Sequence, residues 1–142
     1  MKLHKERLVA VPASVAFAYA SDFSNTAQWD PGVASSRQVG DGPVGVGTEF
    51  ELAVRFGGST SPSIFEITRY EPDRLVVLEG KAESWSALDE IRFEPVEDST
   101  RIVYTSRITF RNFLKYLSPL MSPVFNRIGR KALDGLTAQL QR

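Results

Sequence analysis

The chain has 142 residues, 42% hydrophobic and 24% charged, a composition that suits one soluble domain with a single core over 1–142. Lys+Arg and Asp+Glu both count 17, and this zero net charge, without a dense basic patch, argues against nucleic-acid and membrane-surface binding. There is no cysteine and His4 is the one histidine, which excludes disulfides, thiolate catalysis, Cys-ligated metals and multi-histidine metal sites.

Residues 3–11, LHKERLVAV, read as an opening strand. Pro12 suits the first turn of a helix, where its missing N–H is harmless. That helix carries Val15, Ala16, Tyr19 and Phe23 at helical spacing, and a second short turn runs on to Gln28 and Trp29. Asp30-Pro31-Gly32 stops it. The start MKLHKERLVAV has no long apolar run or cleavage signal, and no stretch approaches ~18 consecutive apolar residues, so a cytoplasmic protein without integral membrane contact is expected.

Strands follow at 33–40, 48–56, 63–70, 75–79, 84–93 and 101–110, separated by turn-type stretches such as GDGPVGVG, EPDR and GKAES. In TEFELAVRF, Phe50, Leu52, Val54 and Phe56 share one face. In SIFEITRY, the shared face holds Ser63, Phe65 and Ile67. In SWSALDEIRF, it holds Trp85, Ala87, Asp89, Ile91 and Phe93. Pairing Phe93 with Ile102 puts Ile91 opposite Tyr104, Asp89 opposite Ser106, Ala87 opposite Ile108 and Trp85 opposite Phe110, so both apolar sets land on one side. Asp89 is the misfit on that side, because a buried carboxylate is costly unless paired or hydrated. One register of 75–79 places Arg74 across from it, with Arg55 and Arg69 as further candidates. No inward-facing acidic partner for Asp89 is evident.

Residues 112–142 form a long amphipathic helix, with Phe113, Leu117, Leu120, Val124, Ile128, Leu136 and Leu140 at three- and four-residue steps. Met121, Phe125, Ala132 and Leu133 widen the stripe. Pro119 and Pro123 predict a break or kink, with Ser122 as a cap for the main segment, since an interior proline costs ~3 kcal/mol. One apolar sheet face needs a partner, and this helix is the large one on offer. The expected architecture is α+β: about six to seven antiparallel strands wrapped around the helix, leaving an internal cavity.

The opening VAVPASVAFAYASDFSNTAQWDP (9–31), the central FEITRYEPDRLVVLEG (65–80) and the hairpin LDEIRFEPVEDSTRIVYT (88–105) resemble the SRPBCC superfamily. The likeness is closest to its polyketide cyclase/dehydrase and lipid transport family, although Ser99 stands where a Gly is common. The resemblance covers nearly the whole chain and implies the helix-grip fold of START-type carriers, with Trp29 packing at the cavity edge. It says little about chemistry, because such motifs encode turns and core.

The expected ligand cavity comprises Phe50, Leu52, Val54, Phe65, Ile67, Trp85, Ala87, Asp89, Tyr104, Ser106, Leu117, Met121 and Phe125. Trp85 and Tyr104 carry polar handles for orienting a ligand. The familiar catalytic signatures are missing: GDGPVGVG lacks the Lys-Ser/Thr of a P-loop, no GxSxG elbow is present, and one His cannot build a triad. The leading expectation is a carrier or sensor, monomeric or homodimeric, that binds a small hydrophobic or aromatic molecule without cofactor or metal. The alternatives are a cyclase- or dehydratase-type enzyme, with Asp89 as base and Tyr104 as donor, and an interaction module displaying an apolar outer sheet face.

Overall fold

The computed structural model describes residues 2–56, 58–111 and 114–142; for Phe56, 114–122 and Phe125 only the backbone is described. Strand β1 (Lys2–Val9) leads into helix α1 (Ala13–Ala20), a 3₁₀ turn (Phe23–Asn25) and the short helix α2 (Thr26–Trp29). Six strands follow: β2 (Val33–Gln38), β3 (Glu49–Phe56), β4 (Ser59–Glu71), β5 (Leu75–Ala82), β6 (Trp85–Val96) and β7 (Ser99–Phe110). Helix α3 (Leu114–Leu140) closes the chain.

All neighbouring strands are antiparallel, in the order β1-β7-β6-β5-β4-β3-β2. Register shifts between Val33 and Ser35 and between Ile67 and Arg69 insert irregularities that bend the sheet. The sheet curls into a half-barrel, and the helices fill its concave side; this is the helix-grip fold that the resemblance implies. The convex side bears isolated apolar residues between charges. Ile64 pairs with Glu51 and Lys81, and Leu88 with Glu79 and Arg107, so neither joins an apolar patch.

The β6–β7 register is the one expected from the alternation, including Asp89 opposite Ser106 and Ile91 opposite Tyr104. The β5 register is not. Leu78, not Arg74, lies across from Asp89, because β5 runs on through Gly80, Lys81 and Ala82 instead of turning there. Gly80 is a strand residue directly opposite Phe65, and a Cβ on it would sit 2.5 Å from the Phe65 ring. Its role is to let that ring lie flat over the strand.

Two helical expectations also change. The buried face of α1 is Ala16, Phe17 and Ala20, while Val15 is 48% exposed. Helix α3 runs unbroken through Pro119 and Pro123, so Ser122 holds an interior position and not a cap. Each proline removes one backbone donor, but the C-terminal half of the helix is anchored by Ala132, Leu133, Leu136 and Leu140, all buried. Tertiary packing of an amphipathic face outweighs such local penalties. Gly135 permits a close crossing: a Cβ there would fall 2.0 Å from the backbone oxygen of Trp29, so α2 rests directly on α3.

Candidate functional site

Between the sheet and α2–α3 lies a cavity of about 190 Å³. An apolar cavity of ~150 Å³ is enough to hold benzene, so this volume is of single-ring ligand size. The strands supply Leu3, Val33, Leu52, Val54, Phe65, Trp85, Ala87, Tyr104 and Ile108, and α3 supplies Val124, Ile128, Gly129 and Ala132. Space exists because several facing residues are small. Ala87 on β6 and Ala132 on α3 both line it with a single methyl, whereas Gly129 is taken up by the Leu3 side chain, which a Cβ there would meet at 2.3 Å. Val124, at 55% exposure, marks the rim.

Of the residues expected to line the cavity, Leu52, Val54, Phe65, Trp85, Ala87, Asp89, Tyr104 and Ser106 are brought together there. Phe50 and Ile67 are fully buried but belong to the solid core beside it. The side chains of Leu117, Met121 and Phe125 lie outside the described residues. Ser63 donates to the Leu52 carbonyl at 2.8 Å, and the Trp85 indole donates to Ser61 Oγ at 3.1 Å, so the Trp85 handle is already engaged.

Asp89 is the centre of the polar end. Its residue is 5% exposed. Ser106 Oγ donates to its Oδ1 at 2.6 Å, and Tyr104 Oη donates to its Oδ2 at 2.9 Å. Among the described residues no arginine serves it. Arg69 pairs with Glu71, and Arg55 donates to the carbonyls of Pro31 and Val33 at 2.6 and 3.4 Å. Burial therefore dominates, and it raises the Asp89 carboxyl from 3.8 to about 6 even though the two hydroxyls pull it down. Burial and the nearby Asp89 charge together push the Tyr104 phenol well above its ordinary value of 10.0.

The sequence reading missed a second carboxyl. Asp30 lines the same cavity, with Oδ1 accepting the Gly32 N–H at 2.8 Å. Burial raises it from 3.8 to about 6; the Gly32 bond opposes this, the Asp89 charge adds to it, and Arg55 opposes it. Asp89 thus has an acidic neighbour across the cavity. Only the turn was legible in WDPG, because an Asp that accepts from the residue two positions on is a turn signal in its own right. On the same wall, Thr26 and Trp29 are each 2% exposed, and Thr26 Oγ1 and Trp29 Nε1 have no hydrogen-bond partner among the described residues. Buried polar atoms are seldom left so.

Among the described residues no group of three or more His, Cys, Asp or Glu side chains could hold a metal ion. Nor, among the described residues, is any helix long and apolar enough to cross a membrane.

The family model for polyketide cyclase/dehydrase and lipid transport matches residues 1–141. No curated protein sequence matches. Among solved structures, the aromatase/cyclase Zhui from Streptomyces sp. R1128 is similar with a TM-score of 0.83 at 16% identity, covering 100% of this chain and 94% of that one. TTHA0849 from Thermus thermophilus is similar with a TM-score of 0.83 at 17% identity, covering 99% and 97%. A START superfamily protein from Mycobacterium smegmatis is similar with a TM-score of 0.75 at 18% identity, covering 98% of each chain. Likeness at these identities extends to the fold alone. On the match over 1–141, this chain belongs to the polyketide cyclase/dehydrase and lipid transport family, with a START-like fold.

Proposed function

We propose that this protein binds or carries a small, mainly apolar or aromatic molecule in the cavity between sheet and α3. The carrying observation is the cavity itself, about 190 Å³, walled by aromatic and aliphatic side chains with one polar end. Family and fold fit a ligand-binding protein of START or polyketide-cyclase type. Ala87→Leu tests the reading, because it puts a branched side chain into the void from the middle of β6. Small aromatic probes titrated by NMR should shift signals of cavity residues in the parent protein, and binding should weaken by at least about tenfold in the variant. Equal binding to both proteins would place the probes elsewhere and defeat the proposal.

One observation favours a second reading, a cyclase- or dehydratase-type enzyme. Two cavity carboxyls, Asp30 and Asp89, are held near 6, where a group can both take and return a proton. The geometry changes the roles expected for them. Tyr104 directs its O–H hydrogen bond to Asp89, so toward a ligand it presents an acceptor oxygen; both Asp89 oxygens are already engaged. Asp30, with one oxygen on Gly32, is the freer base. Unchanged turnover of a polyketide-like substrate in both Asp30→Asn and Asp89→Asn would remove this reading and leave the carrier.

A further inference from the structure

Resting on the proposed binding role of this cavity, we infer that its preferred ligand class is a protonated organic amine, held by Asp30 and Asp89 within an aromatic wall, and that carboxylate ligands are rejected. The polar end offers acceptors. Asp30 keeps one carboxyl oxygen beyond its bond to Gly32 N. Tyr104 Oη, having donated to Asp89, retains lone pairs, and Asp89 Oδ1 and Oδ2 retain theirs. Thr26 Oγ1, on the same wall and unpartnered among the described residues, is a further acceptor.

Most donors that could welcome an anion are engaged within the protein, and Trp29 Nε1 and the Thr26 hydroxyl are the ones on this wall without a partner among the described residues. The Arg55 guanidinium points its bonds at Pro31 O and Val33 O, and the Trp85 indole at Ser61. No other cationic side chain is on the described cavity wall. An anion entering here would meet the excess negative charge of two acids over the one guanidinium of Arg55 in a desolvated site. An ammonium would neutralise that charge and form charge-assisted bonds. The rings of Phe23, Trp29, Phe65, Trp85 and Tyr104 add the aromatic faces that attract a cation.

Three probes of one size separate the possibilities: 2-phenylethylamine, 2-phenylethanol and phenylacetate, titrated into the intact protein at pH 7.5 by calorimetry and NMR. The amine should bind about tenfold or more tighter than the alcohol, and the alcohol about tenfold or more tighter than the acid. In Asp30→Asn, whose side-chain oxygen can still accept from Gly32 N, the tenfold preference for the amine over the alcohol should be lost. Asp89→Asn should do the same. At pH 4.5 the preference should shrink as the carboxyls take up protons. Asp30, Asp89, Tyr104 and Arg55 are the titratable groups on the described wall, while β1 and α3 bring only Leu3, Val124, Ile128, Gly129 and Ala132 to it. Equal affinities for the three probes, or tightest binding of phenylacetate, would overturn the charge preference and leave the binding role intact. Failure of all three to bind would overturn both.

Discussion

The concave side of the sheet has a filled end and a hollow end, and the same two strands run through both. On β6, Ile91 and Phe93 enter the filled end; Trp85, Ala87 and Asp89 face the hollow one. On β7, Thr100 and Ile102 belong to the first, and Tyr104, Ser106 and Ile108 to the second. The filled end is closed by α1, whose Phe17 ring meets Tyr70 and Phe93 edge-on at 5.1 and 5.3 Å. The hollow end is roofed by α3 with Gly129 and Ala132. Strand alternation sets which residues point inward, but the side chain that comes down from above sets whether the space is occupied. A large ring from α1 makes core; where the described part of α3 brings Ala132 and Gly129 to the wall, a cavity remains, and the polar groups of Asp89, Tyr104 and Ser106 line it.

Phe17→Ala breaks the filled end and carries the largest expected effect. It removes a ring touching two others and should cost about 3–5 kcal/mol in urea unfolding. Probe affinity of the folded protein should stay within about twofold, since Phe17 is not on the cavity wall. A parallel loss of affinity would mean that the two ends are one cooperative unit.

Asp89→Asn tests the hollow end from the other side. The folded-state value of about 6 lies above the ordinary 3.8, so the folded protein holds this proton more tightly than the unfolded chain. The contribution to stability is fully present below about 4 and is lost as pH rises through about 6, a difference of roughly 3 kcal/mol at most. Asn has no charge to desolvate. The variant should therefore be more stable than the parent at pH 8, with the gap closing toward pH 4. Urea midpoints at pH 4, 6 and 8 read this directly. A uniform loss at every pH would show that Asp89 is an ordinary structural acceptor.

The smallest effect comes from a matched pair of enlargements. Ala16→Leu, on the buried face of α1, should overpack the filled end and cost about 1–3 kcal/mol. Ala87→Leu, into the void, should change stability by less than about 1 kcal/mol while blocking probes. Equal costs at the two sites would show that the hollow end collapses without a ligand.

The inward faces, the β6–β7 register and the Asp89–Ser106 pairing were legible in the sequence, because a period-2 pattern allows one alignment that puts both apolar sets on one side. Other features depended on contacts distant in the chain. Gly80 resembled a turn, yet it is strand, and only the Phe65 ring over it explains why; that moved Leu78 into the place expected for Arg74. Pro119 and Pro123 argued for a break, yet the helix continues, since a local penalty of ~3 kcal/mol cannot outvote an anchored apolar face. Asp30 announced a turn and nothing more. Its place beside Asp89 arises because Gly135 lets α2 settle onto α3, which carries the 30–32 loop over the mouth of the sheet. Local chemistry determined the strands, their faces and one buried acid. The tertiary structure decided that the acid has a second one for company and an empty space before it, because a cavity is defined by the gap between elements that no single segment encodes.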